Sequence, residues 1–149
     1  MMIILTIIFL LIDVGSKLIV SNLMNINDSF IVIKDFFYIT YVRNTGAAWS
    51  LFAGKTWLLI IVSILIIGLI VGYIYKNKPK ATMEKIGYSM ILGGAFGNFI
   101  DRIVYGYVID FFDFYIFGYD YPIFNLADSF ILIGVILLII CTWRCKDGN

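Results

Sequence analysis

Histidine is absent from this chain, cysteine and proline occur twice each, and Asp, Glu, Lys and Arg together supply only 14% of the residues. Without histidine, the commonest general base and the usual zinc ligand are missing, and no Ser–His or Cys–His nucleophile can be assembled. Any chemistry must use carboxylates, lysine, tyrosine or water. A formal net charge of +1 offers no basic field, and no Lys/Arg cluster is interleaved with aromatics, so nucleic acid is not an expected partner. Cys141 and Cys145 stand four apart near the end of the last apolar segment, neighbours on one helix face and too few for a metal site. They are read as helix-end filler without a function, and no cofactor is expected. The scarcity of charge, against roughly 25% in soluble domains, goes with 62% hydrophobic residues, so water is not the main solvent.

Four apolar stretches are each long enough for a bilayer crossing, which takes about 20 residues per helix. They run from Met1 to about Val20, from Trp57 to Tyr75, from about Ile86 to Val104 and from about Pro122 to Trp143. The first has neither the basic n-region nor the small-residue cleavage site of a removed signal, so it is expected to stay as a helix. Lys76-Asn-Lys78-Pro-Lys80 separates the second span from the third. Between Ser21 and Thr56, Ile31 to Ile33 and Phe36 to Val42 are rich in β-branched and aromatic residues, which predicts two or three short strands outside the hydrocarbon. Tyr105 to Tyr121 reads as a polar and aromatic connection. The expected fold is an all-α membrane protein: a single membrane domain over residues 1–149, four transmembrane helices and a small extracytoplasmic β-rich cradle.

Orientation follows from lysine and arginine in short loops. Lys76, Lys78, Lys80 and Lys85 flank the second connection, and Arg144 and Lys146 follow the last span, so both termini are expected in the cytoplasm. The other two connections then lie outside. Counted along the helices at about 1.5 Å per residue, Asp13, Lys17, Asn98, Asp101 and Arg102 fall in the outer part of the bundle. Asn125 and Asp128 fall in the first two turns of the last span. All of these groups meet at one level, and an ionisable residue inside a membrane is by default a functional candidate.

Asp110 sits among Phe111, Phe112 and Phe114, where desolvation raises a carboxyl pKa. If it meets Asp128, like-charge repulsion leaves one proton on the pair, the arrangement with which two aspartates activate water and protonate a carbonyl. Other residues have plainer readings beside functional ones. Asp13 and Lys17, at i and i+4, suit a helix ion pair or a brace. Asp101 and Arg102 point in different directions and tie the third span to other elements, although Arg102 could hold a lipid phosphate or a substrate carbonyl. Gly93 and Gly97 form a Gly-xxx-Gly pair suited to close helix packing. Asn44 and Gly46 suit a turn at a strand end. Asp113 and Asp120 read as solvated loop charges.

The ordered set of motifs resembles bacterial lipoprotein signal peptidases, also called signal peptidase II. Asp13-Val-Gly-Ser-Lys17 is similar to the family's first-helix motif, and Asn44-Thr-Gly-Ala-Ala-Trp-Ser50 to its second, with Trp49 where Phe is usual. Gly93 to Arg102 resembles the third-helix motif. Gly106-Tyr-Val-Ile-Asp110-Phe111 and Phe124-Asn125-Leu-Ala-Asp128 look like the two that carry catalytic aspartates. The resemblance implies Asp110 and Asp128 as the catalytic pair, with Asn44, Gly46, Asn98, Asp101, Arg102 and Asn125 positioning substrate or supporting the pair. It gives Asp13 and Lys17 a structural role. It further implies an extracytoplasmic cradle resting on the membrane, residence in the bacterial cytoplasmic membrane and a prolipoprotein substrate cut just before its diacylglyceryl-modified cysteine. Membrane lipid and globomycin-type inhibitors are expected ligands, and no obligate protein partner is expected. Two other readings compete: a proton or ion carrier, which would need polar access from both sides, and an assembly subunit that pairs through its glycine face.

Overall fold

The computed structural model describes residues 1–47 and 51–146, without the side chains of residues 144–146. Trp49 and Ser50 of the second motif, and the side chain of Cys145, therefore lie outside the described residues. The elements run α1 (Met2–Leu23), β1 (Ser29–Ile33), β2 (Phe37–Asn44), α2 (Thr56–Asn77), α3 (Thr82–Val104), β3 (Val108–Ile116), β4 (Tyr119–Asp120) and α4 (Leu126–Lys146).

Three of the helices, α1, α2 and α4, are long and apolar enough to cross a membrane; α3 is not among them. The helices also differ in where each puts its apolar surface. On α2 only Leu59 and Ile67 are buried, while large side chains such as Ile3, Leu65, Leu69 and Leu132 are exposed. A stripe like that is stable only against lipid. Helix α3 instead sits in the middle, packed against the other three, and its buried residues include Ser89, Asn98, Asp101 and three glycines of one stretch, Gly93, Gly94 and Gly97.

Those glycines set how closely the helices approach. A Cβ on Gly93 would stand 2.7 Å from Cβ of Phe9 and 3.0 Å from the Thr6 carbonyl oxygen of α1, and one on Gly94 would run into the Ala127 carbonyl of α4. Lower in the bundle, Gly87 and Gly134 face each other, so that a Cβ on Gly134 would lie 2.6 Å from the Gly87 carbonyl oxygen. Close packing is thus one use of the Gly-xxx-Gly pair. Gly97 differs, because its Cβ would collide with the Asp13 carboxylate.

The strands form one antiparallel sheet in the order β1-β2-β3-β4. Two of its four strands come from the connection after α3, which sequence reasoning left without structure. Asp110 is accordingly a strand residue rather than a loop residue. Val20, Tyr41, Ile109 and Phe111 form a small core that joins the end of α1 to the sheet. The two prolines mark helix boundaries: Pro79 follows Lys78, which ends α2 in the left-handed conformation at φ 49°, and Pro122 precedes α4. The last helix begins at Leu126, later than the expected Pro122, because Phe124 is held in an isolated bridge to Phe112 of β3. Asp113 corrects the reading of a solvated charge. It is 5% exposed, and its Oδ2 accepts the Thr40 hydroxyl at 2.5 Å. Asp120 is exposed, as expected.

Candidate active site

The site begins with an ion cluster between α1 and α3. Lys17 Nζ lies 2.8 Å from Asp13 Oδ2 and 3.1 Å from Asp101 Oδ2, and it donates to Asn98 Oδ1 at 2.9 Å. All three of its protons are thereby engaged. Asp13 is fully buried and Lys17 2% exposed, where an isolated charge would be prohibitive and a paired one is tolerated. The cluster also locks other elements in place. Asp13 Oδ1 accepts the Ala127 amide of α4 at 2.9 Å, and Asp101 Oδ2 accepts the Ile109 amide of β3 at 3.1 Å. Arg102 turns the other way, as expected of adjacent helical residues, and reaches the Gly46 carbonyl at 3.3 Å and the Asn98 carbonyl at 3.4 Å.

Asp110 and Asp128 are brought together above this cluster by three asparagines. Asn44 stands opposite Val108 in the β2–β3 ladder, so it lies diagonal to Asp110 on the same face; its Nδ2 donates to Asp110 Oδ2 at 2.8 Å. Its Oδ1 accepts the Gly46 amide at 2.9 Å, the turn read from the sequence. Asn125 Nδ2 donates to Asp110 Oδ1 at 2.6 Å. Asn98 Nδ2 donates to Asp128 Oδ1 at 2.8 Å, and Asn98 Oδ1 receives both Lys17 and, at 3.1 Å, Asn125. The relay therefore runs unbroken from the ion cluster to both carboxyls.

A reciprocal cap at the start of α4 holds Asp128. Asn125 Oδ1 accepts the Asp128 amide at 3.1 Å, while Asp128 Oδ2 accepts the Asn125 amide at 3.2 Å. This is a capping box with aspartate at the third helical position. The Asn-x-x-Asp spacing before an apolar run could have signalled it, and sequence reasoning missed it. One residue, Asn125, thus touches both carboxylates, Asp110 through its side-chain amide and Asp128 through its backbone amide.

Asp110 is 3% exposed. Burial first, and the neighbouring Asp128 second, push its carboxyl up to about 7, against the hydrogen bonds from Asn44 and Asn125 and the charge of Lys17, which pull it down. A cavity of about 500 Å³ opens beside the pair. Asn44, Asn98, Arg102, Asp110 and Asp128 line its polar side, and Phe124, Leu132 and Ile133 its apolar side. Such a cavity accepts an amphipathic ligand of moderate size. Among the described residues, no group of three or more His, Cys, Asp or Glu side chains is placed to hold a metal ion.

Known proteins share both this sequence and this architecture. Residues 5–144 match the family model described as signal peptidase (SPase) II. The chain belongs to the signal peptidase II family. It is 45% identical over 140 residues to a lipoprotein signal peptidase of Staphylococcus haemolyticus, covering 94% of this chain and 87% of that one. With the lipoprotein signal peptidase of Halothermothrix orenii it shares 41% identity over 144 residues, 97% of this chain and 96% of the other. A solved structure described as a bacterial membrane enzyme superposes with a TM-score of 0.89 at 40% identity, covering 99% of this chain and 90% of that chain. A second, described in the same words, gives 0.84 at 42% identity, covering 95% and 91%. Membership identifies an aspartic-type peptidase in a membrane fold and sets aside the carrier and assembly-subunit readings. Within this family, the buried carboxylates belong to a hydrolase.

Proposed function

We propose that the chain removes signal peptides from prolipoproteins already modified with diacylglycerol, cutting just before the lipidated cysteine, with Asp110 and Asp128 as the catalytic pair. The observation that carries this reading is the bridging of the two carboxyls by Asn125 at the polar edge of an otherwise apolar cavity. With one proton between them, one carboxylate takes a proton from water as its oxygen attacks the scissile carbonyl, and the other carboxyl protonates the carbonyl oxygen. Collapse of the tetrahedral intermediate releases the amine of the cysteine and the carboxyl end of the signal peptide. The asparagines hold both carboxyls from the sides. Arg102, tied to Gly46, braces the loop after β2 against α3.

The cavity favours a lipid-bearing substrate, because Leu132 and Ile133 continue its wall along a helix apolar enough for the bilayer. Helix α3 is read as the fourth span: its 23 residues extend about 34 Å at 1.5 Å each, and Asp101 within it is buried against Lys17 of α1 rather than lipid. Both termini are placed in the cytoplasm of a bacterial cell and the aspartates toward the outer face of the cytoplasmic membrane. Inhibitors of the globomycin type are expected to compete for the cavity.

The test is a gel-shift assay of purified protein with a diacylglyceryl-modified prolipoprotein, run beside the unlipidated precursor. Cleavage of the lipidated form alone is expected. Asp110→Asn and Asp128→Asn should each lower turnover by roughly 10²–10⁴-fold, the usual size of an acid–base contribution, while the protein stays folded. Full turnover by either variant would reject the pair.

A further inference from the structure

A second groove, of about 490 Å³, continues from the catalytic cavity away from the helices, between β2, β3 and residues 120–123. Asp110 and Asn44 line both spaces, so the two meet at the proposed catalytic centre. Their character differs. Where the first has Leu132 and Ile133 of α4, the second presents Thr40, Arg43, Asp113, Tyr115 and Asp120.

Asp113 is the unusual member. Its side chain is buried, and while Oδ2 accepts the Thr40 hydroxyl, Oδ1 has no hydrogen-bond donor among the described residues. Residues three apart on a regular strand face opposite sides, yet Asp110 and Asp113 share this groove; between them, the consecutive amides of Phe111 and Phe112 both donate to the Phe124 carbonyl. Arg43, the cation of the groove, is occupied elsewhere: its Nε donates to the Tyr41 hydroxyl, and its guanidinium lies 4.7 Å from the centre of the Tyr107 ring. An unpaired oxygen on a buried carboxylate is costly, so a ligand in the groove that supplied a donor to Asp113 would relieve that cost.

We propose that this groove is a subsite for the polar beginning of the mature chain, and that Asp113, with Asp120 at the rim, selects a cationic or hydrogen-bond-donating side chain at the residue directly after the lipidated cysteine. The proposal rests on the lipoprotein-peptidase reading above. Its direction follows from solvent: the signal segment and diacylglyceryl group are apolar and stay along α4, whereas the mature chain is polar and leaves the scissile bond on the side of the sheet. The free acceptor and the net negative charge of the groove then discriminate among side chains at that position by attraction and repulsion.

The test uses the full-length protein in liposomes and three diacylglyceryl-modified prolipoproteins that differ only in the residue after the cysteine, Lys, Ser or Asp. The unaltered enzyme is expected to prefer Lys over Asp by about tenfold in kcat/KM, with Ser between, as expected of charge discrimination in a partly solvated groove. Asp113→Asn, which keeps shape and removes charge, should bring the Lys-to-Asp ratio close to one, and Asp120→Asn should lower it in part. An unaltered enzyme without the preference, or a ratio unchanged in both variants, overturns the subsite. Should Asp113→Asn fail to fold, Asp120→Asn decides alone: a lowered ratio supports the subsite and an unchanged one overturns it. Failure of the unaltered enzyme to cleave any of the three overturns the peptidase reading and the subsite with it.

Discussion

At the scale of single residues, three asparagines decide what the two aspartates can do. Asn44, Asn98 and Asn125 supply neutral donors, so each carboxyl is oriented without being locked into an ion pair. The hydrogen bond from Asn44 favours the ionised form of Asp110 and so holds its pKa below the level that burial and Asp128 alone would set. Catalysis by a shared proton is lost when that proton leaves, so kcat/KM should fall as pH rises through the upper pKa of the pair, near 7 by the Asp110 value. Asn44→Ala removes a bond to the ionised form, raises that pKa and moves the alkaline limb to higher pH. A pH profile of kcat/KM for both proteins checks this, and a limb that stayed still or moved down would sink the role given to Asp110.

At the scale of elements, α3 is the part on which the others are hung, through glycines where backbones meet and through a charge cluster where they must be held apart at a set distance. Lys17 is the only cation touching Asp13 and Asp101 among the described residues. Lys17→Met would leave two buried carboxylates uncompensated and should destabilise the protein by about 3–5 kcal/mol, the cost of breaking a buried pair. Asp13→Asn in the same chain should restore part of the loss, because the two changes share one interaction. Thermal unfolding of the single and double variants in detergent measures both; additive losses would show that the cluster is not a unit. Gly97 belongs to the same element logic. Its missing side chain leaves room for the Asp13 carboxylate, so the Gly-xxx-Gly spacing read as a helix-pairing face serves a buried charge at one of its two positions.

At the scale of the whole molecule, the apolar exterior and the polar interior at one end argue for a fixed orientation in the bilayer. With Cys141 and Cys145 changed to Ser, a cysteine at Lys34 in the β1–β2 turn should react with a membrane-impermeant maleimide on intact cells, and one at Lys80 between α2 and α3 only after lysis. The opposite pattern would invert the proposed topology. Much of this was legible in the chain itself. The four helices, the strands β1 and β2 and the convergence of Asp13, Lys17, Asn98, Asp101, Arg102, Asn125 and Asp128 followed from hydropathy and helical rise, because burying an ionisable group among lipids costs so much that such groups must find one another. The motif order around Asp110 and Asp128 pointed to the same pair. Tertiary structure alone decided that residues after Tyr105 form half the sheet, that Asn125 bridges both carboxyls and that Asp113 is buried in a groove beside them. These depend on the register of β2 against β3, on an irregularity at Phe111 and Phe112, and on where α4 begins. A strand's own residues specify its alternation but not its partner, so the facing side chains are known only once the sheet is assembled.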